Sequence, residues 1–145
     1  MSDAEATSRI HRELVAAMGE VLELLDKRTP FPDEAVHSAR KAIKKARAAL
    51  RLLREGLDES VYRKENAALR DAGRFFSPLR DVASLIDAFN SFRDRHPAEL
   101  RQARYDALTA HLVATRADMR RQVFRAPARQ KNCARLLRAC NNRVS

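Results

Sequence analysis

Apolar residues recur along most of this chain at intervals of three and four, the spacing that places side chains on one face of an α-helix, and strand-like alternation is absent. The pattern predicts a first helix from about Ser8 to Lys27, with Ile10, Leu14, Ala17, Met18, Val21, Leu24 and Leu25 on one side. "TPFPD" ends it, because Pro30 and Pro32 each disfavour helix in the residue before them. A second helix is expected from Asp33, as N-cap, to Gly56, as C-cap. A third runs from about Glu59 to Phe75. Ser77-Pro78 reads as its end and as the cap and first turn of a fourth, closed by His96-Pro97. A fifth is expected from about Ala98 to Phe124, with Leu100, Ala103, Ala107, Leu108, Leu112, Thr115 and Met119 in register, and a short last helix from Ala128 to about Asn141. The fold class is therefore all-α, an antiparallel bundle of four to six helices.

Composition sharpens that picture. Three glycines and five prolines in 145 residues leave few breakers, while Ala, Leu and Arg are strong helix formers. The length suits one domain, residues 1–145, with a core that needs no disulfide or metal. Cys133 and Cys140 lie seven apart on one expected helix, so their Cα atoms would be roughly 10 Å apart, beyond the roughly 7 Å a disulfide spans. They read as reduced, half-buried thiols of a cytoplasmic protein. The first residues carry acids where a secretory leader needs bases and an apolar run, and no window is apolar enough to span a membrane.

Charge changes the picture most. The chain has 29 Lys and Arg against 19 Asp and Glu, a net +10, which attracts polyanions. The excess is concentrated in "VHSARKAIKKARAALRLLR", Val36 to Arg54, which contains no acid. At about 100° per residue, His37, Arg40, Lys44, Arg47, Arg51 and Arg54 fall within roughly a 100° arc, flanked by Lys41 and Lys45. Ala39, Ala42, Ile43, Ala46, Leu50 and Leu53 take the opposite side. Like charges at i, i+4 cost a few tenths of a kcal/mol each, so an ordinary solvated helix mixes signs. This ladder does not, and an anionic ligand would relieve the repulsion. His37 heads it at the N-terminal turn, where the helix dipole favours an anion; amid cations it is expected to be neutral until phosphate binds.

The spacing H-x-x-R-x-x-x-K-K-x-R-x-x-L-R of residues 37 to 51 resembles the signature of the CHAD (conserved histidine alpha-helical domain) family, with Lys at two positions where Arg is commoner. A second family block, an Arg-Asp pair opening a helix about 30 residues later, is matched by "FFSPLRDVASLIDAF", where Phe76 and Ser77 replace the usual Leu-Gly. The resemblance covers nearly all of this chain and about the first half of the usual domain, in which two helical bundles face each other across a basic cavity. It implies binding of inorganic polyphosphate and association with polyphosphate granules. It also implies that His37, Arg40, Lys44, Lys45, Arg47, Arg51 and Arg80 line the cavity and that Asp81 orients neighbouring arginines. Helical phase adds Arg54, Arg70 and Arg74 as further candidates.

Other chemistry finds less support. The four histidines are scattered with no metal-ligand pair, and neither a nucleophile elbow nor a phosphate-cradling glycine loop is present, so no cofactor, metal or catalysis is expected. Sequence-nonspecific nucleic-acid binding is the main alternative, although no Trp, two Tyr and six Phe make a poor stacking platform. Pairing with an acidic protein and lying on a membrane surface follow. The basic segment from Arg116 to Arg143 reads equally as a second anion-binding wall or as a solvated tail. A chain that spans half of a two-bundle domain is expected to be a monomer or a weak homodimer, its association bridged by polyphosphate.

Overall fold

The computed structural model describes residues 2–27, 30–98 and 101–144. Among them are five α-helices and no strand: α1 (Asp3–Leu25), α2 (Asp33–Leu52), α3 (Glu59–Arg95), α4 (Gln102–Phe124) and α5 (Pro127–Val144), with a 3₁₀ turn at Arg54–Gly56. The chain is an all-α bundle, as expected. α2 packs between α1 and α3, and α5 closes the bundle against α1 and α3.

Local chemistry sets the ends. α1 begins five residues earlier than its apolar pattern, because Ser2 and Glu5 form a reciprocal capping box. Its last carbonyls are met from α5, where Gln130 Nε2 donates to Leu25 O at 2.6 Å. α2 is capped by Pro32 without a side-chain bond, so Asp33 is not the N-cap expected of it. Its carboxylate is turned instead to Arg120 Nη1, at 2.6 Å, and Arg116 Nη1, at 3.4 Å, on α4. α2 also stops at Leu52, short of the expected Gly56.

The expected break at Ser77-Pro78 does not occur. α3 is one helix of 37 residues with Pro78 inside it. A mid-helix proline removes one N–H bond and crowds the preceding turn, at about 3 kcal/mol. Two things offset that cost. One is the unbroken apolar stripe that Phe75, Phe76, Leu79 and Val82 bury across the proline, and the other is the anchoring of Phe76 against Phe31 in the core. Phe31, 1 % exposed, anchors the loop between α1 and α2 beside Phe76 and edge-on to Phe124, with ring centroids 5.3 Å apart in the second pair.

α4 also differs from its pattern. Only Tyr105 and Val123 are buried, and Leu108 remains 43 % exposed. The distal part of α3 and the first turns of α4 form a hairpin, pinned where Phe89 meets Tyr105 and where Tyr105 Oη donates to His96 O at 2.8 Å. Leu100, expected in the α4 register, lies outside the described residues.

One buried ion pair fastens α5. Glu65 of α3 is fully buried and accepts from both Arg143 Nε and Arg143 Nη2, the latter at 2.9 Å. Burial alone would raise its pKa, but the bonds from Arg143 and Cys140 and the Arg143 charge outweigh it and hold the carboxyl below its usual range. Both cysteines are free and buried. Burial, with the Asp71 charge, pushes Cys133 up to about 12, and burial with the Glu65 hydrogen bond pushes Cys140 well above the ordinary thiol range, so both are protonated and unreactive at neutral pH.

Arg143→Met should therefore cost about 3 kcal/mol at pH 7, because a buried carboxylate loses its partner. Since the folded-state pKa of Glu65 is depressed, the pair's contribution is complete above the unfolded value near 4.5 and is lost as pH falls through the folded value. Urea unfolding of both proteins at pH 7 and pH 3 should show the gap between them narrowing in acid; a gap that does not change with pH would exclude this role.

Candidate anion-binding groove

The inward side of α2 is Val36, Ala39, Ala42, Ile43, Ala46, Ala49 and Leu50, all buried. Alanines at i, i+3, i+7 and i+10 (Ala39, Ala42, Ala46 and Ala49) let α1 and α3 approach the α2 backbone closely, and the long cationic side chains are left on the outer rim. There the α2 ladder meets a second set of cations on α3. Arg40, Lys44 and Arg47 line one side of a groove of about 220 Å³, and Arg70, Gly73, Arg74 and Ser77 line the other. Ile43 and Leu69 form its floor.

Two neutral side chains fix the geometry: Ser77, expected only as a helix cap, and Asn66, which helical phase did not single out. Arg40 Nη1 donates to Ser77 Oγ at 2.6 Å, and Arg47 Nε donates to Asn66 Oδ1 at 3.2 Å. Each bond holds a guanidinium across the helix seam without cancelling its charge. Arg70 and Arg74 share one acid, Asp71, at 3.4 and 3.6 Å, with all three side chains about half exposed or more. Exposed pairs of this kind contribute little, so the groove remains strongly cationic. Arg70 and Arg74 are thus brought to the site, as their helical phase suggested.

Other candidates are placed elsewhere. Lys45 leans to α1, where it pairs with Glu13 at 2.5 Å; hydrogen bonding to that carboxylate raises the lysine's pKa and lowers the acid's. Arg54 leaves the ladder because α2 ends before it: its guanidinium meets Glu59 at 3.2 Å and lies over the Tyr62 ring at 4.7 Å. Lys41 and Arg51 are exposed on α2 outside the groove. Asp81 is exposed and pairs with no ladder residue, so the orienting part expected of it is not seen; the acid nearest Arg80 is Asp87, at 3.8 Å.

His37 also stands in a setting unlike the one expected. It shares a neighbouring cavity of about 350 Å³ with Arg80 and three acids, Asp33, Glu34 and Asp87. His37 is therefore not enclosed by cations alone. The seam between α2 and α3 is thus cationic along Arg40 to Arg47 and mixed in sign at the His37 end.

Part of the basic C-terminal segment ties elements together. Arg116 and Arg120 hold Asp33, Arg138 holds Asp26, Arg143 holds Glu65, and Arg121 holds Asp118 on its own helix. Part of the charge that read as a second wall is thereby paired, while Arg116, Arg120, Arg121 and Arg125 together line a separate cavity of about 460 Å³ beside Phe124.

The bundle thus sets two rows of cations on facing helices across a narrow groove. The CHAD domain family model matches residues 9–144, and the chain belongs to the CHAD family. Comparison with curated proteins and with solved structures finds no match in either. Among the described residues no cluster of His, Cys, Asp and Glu could hold a metal ion, and no helix is long and apolar enough to cross a membrane.

Ser77→Ala removes the acceptor for Arg40. It should lower stability by about 1 kcal/mol in urea melts. A variant as stable as the parent would mean that the Arg40–Ser77 bond does not help to join α2 to α3.

Proposed function

We propose that this chain is a non-catalytic binder of inorganic polyphosphate, held along the groove between α2 and α3. The observation that carries the reading is the convergence of Arg40, Lys44, Arg47, Arg70 and Arg74 from two helices on one groove, with Asp71 the only acid among the described residues paired to any of them. Along one helix, cations four residues apart recur about every 6 Å, so a linear chain of phosphates lying in the seam meets charge from both sides as it passes. Arginine forks add bidentate contacts to phosphate oxygens, and the apolar floor limits competing water. Membership of a family associated with polyphosphate supports the same ligand, and an intracellular setting that includes polyphosphate granules follows from it.

Binding rather than catalysis suits the groove's chemistry. Its side chains are cationic donors, and its one hydroxyl, Ser77, is committed to the Gly73 carbonyl and to Arg40. The ligand would draw on charges whose mutual repulsion it relieves, so affinity should be strongly salt-dependent.

Five engaged cations, at about −0.7 each by analogy with single-stranded nucleic acid, give a log–log salt slope of about −3.5. Lys44→Glu with Arg47→Glu should lower polyphosphate affinity at least about a hundredfold while the helical circular dichroism is kept, because both residues point away from the Ala-rich core. Lys45→Glu, on the α1 side, should change affinity far less. Competition between long-chain polyphosphate and single- or double-stranded DNA at about 0.15 M salt separates the ligand classes. DNA displacing polyphosphate at equal phosphate concentration would favour the nucleic-acid reading.

A further inference from the structure

Most large apolar side chains left exposed among the described residues lie in one part of the molecule. Leu85, Phe92, Leu108 and Val113, at 54, 43, 43 and 47 % exposure, all belong to the distal hairpin of α3 and α4, and Leu52 stands apart from them. Leu85 and Phe92 are seven residues apart, two turns of one helix face, and both stand about 40–60° to the same side of Phe89. On α4, Leu108 stands about 60° to the corresponding side of Tyr105, the residue that faces Phe89 across the seam. The two helices run antiparallel, so these offsets fall on one side of the hairpin: Leu85, Phe92 and Leu108 share a face, and Val113 lies on the other.

The same region differs electrically from the rest. Among the described residues of 81–115, four acids (Asp81, Asp87, Asp94, Asp106) balance four arginines (Arg93, Arg95, Arg101, Arg104), in a chain whose net charge is +10. Two copies repel wherever they meet through α2 or α5, and do not when they meet here.

We propose that this hairpin face is a self-complementary docking surface for a second copy of the chain. In a two-fold antiparallel pairing centred near Ala88, Leu85 packs on the partner subunit's Phe92, and Asp81 stands opposite the partner subunit's Arg95. A two-fold interface makes each of these contacts twice. Asp81 and Arg95, both exposed, flank the apolar pair at nearly equal distances along α3, which is what that symmetry requires. The polyphosphate groove is lined from α3 residues 69–77 and stays open, so docking neither uses nor blocks it. The apolar patch is small, and the dimer is accordingly weak.

Sedimentation velocity on the whole chain from about 10 µM to 1 mM, the range of a weak interface, should show a monomer passing to a dimer. Leu85→Glu should leave it monomeric throughout. Asp81→Arg and Arg95→Asp should each weaken association about five- to tenfold, since each charge contact occurs twice, and the double exchange should restore it. Circular dichroism checks that the variants fold; should Leu85→Glu unfold, the charge exchange decides alone. A monomer at every concentration, a dimer unaffected by Leu85→Glu, or a double exchange no stronger than the single ones would overturn the proposal.

Discussion

Everything functional in this molecule depends on how closely α2 can approach its neighbours. Ala39, Ala42, Ala46 and Ala49 present almost no side chain to the interior, and all are buried. A helix packed through alanines sits with its backbone near the adjacent helices, so the roots of its outward side chains stand close to theirs. The α2 cations therefore reach the α3 cations across one narrow seam instead of fanning into solvent. Larger residues on that face would bury more area, and would also move the two rows of charge apart.

That arrangement carries electrostatic strain, and the structure shows how it is borne. Arg40 and Arg47 are held by neutral acceptors, Ser77 and Asn66, which orient them without neutralising them. Elsewhere several positive charges are paired with acids: Asp33 takes Arg116 and Arg120, Asp26 takes Arg138, and Glu65 takes Arg143. Fastening the helices with acid–arginine pairs outside the groove, and with neutral hydrogen bonds inside it, leaves the residual charge where a polyanion can use it. The continuity of α3 through Pro78 matters for the same reason, since a break there would release Ser77 and Arg74 from the positions that complete the groove's far side.

Helical phase made much of this legible. The Ala-rich face and the charged arc of α2 follow from residue spacing alone, and the same phase drew Arg70 and Arg74 to the site. It was silent on which neighbour each flank would meet, which is why Lys45, paired with Glu13, and Arg54, beyond the helix end, do not line the groove. Pro78 misled because a proline is usually a boundary; here the buried stripe on both sides keeps the helix intact. The setting of His37 joins Asp33 and Glu34, which stand at i−4 and i−3 on its own helix and were legible from phase, to Asp87 of α3, which was not. The pairs Asp33–Arg120 and Glu65–Arg143 join residues 87 and 78 apart, and no local pattern announces them.

The central claim is that polyphosphate lies between α2 and α3. The most direct measurement is nitrogen–proton NMR of the arginine side chains during titration with polyphosphate. The account predicts that the Nε–H signals of Arg40, Arg47, Arg70 and Arg74 shift together and saturate at one stoichiometry, while those of Arg138 and Arg143, already paired with acids, stay in place. Shifts confined to the arginines of α4 and α5, with the groove signals unmoved, would contradict it.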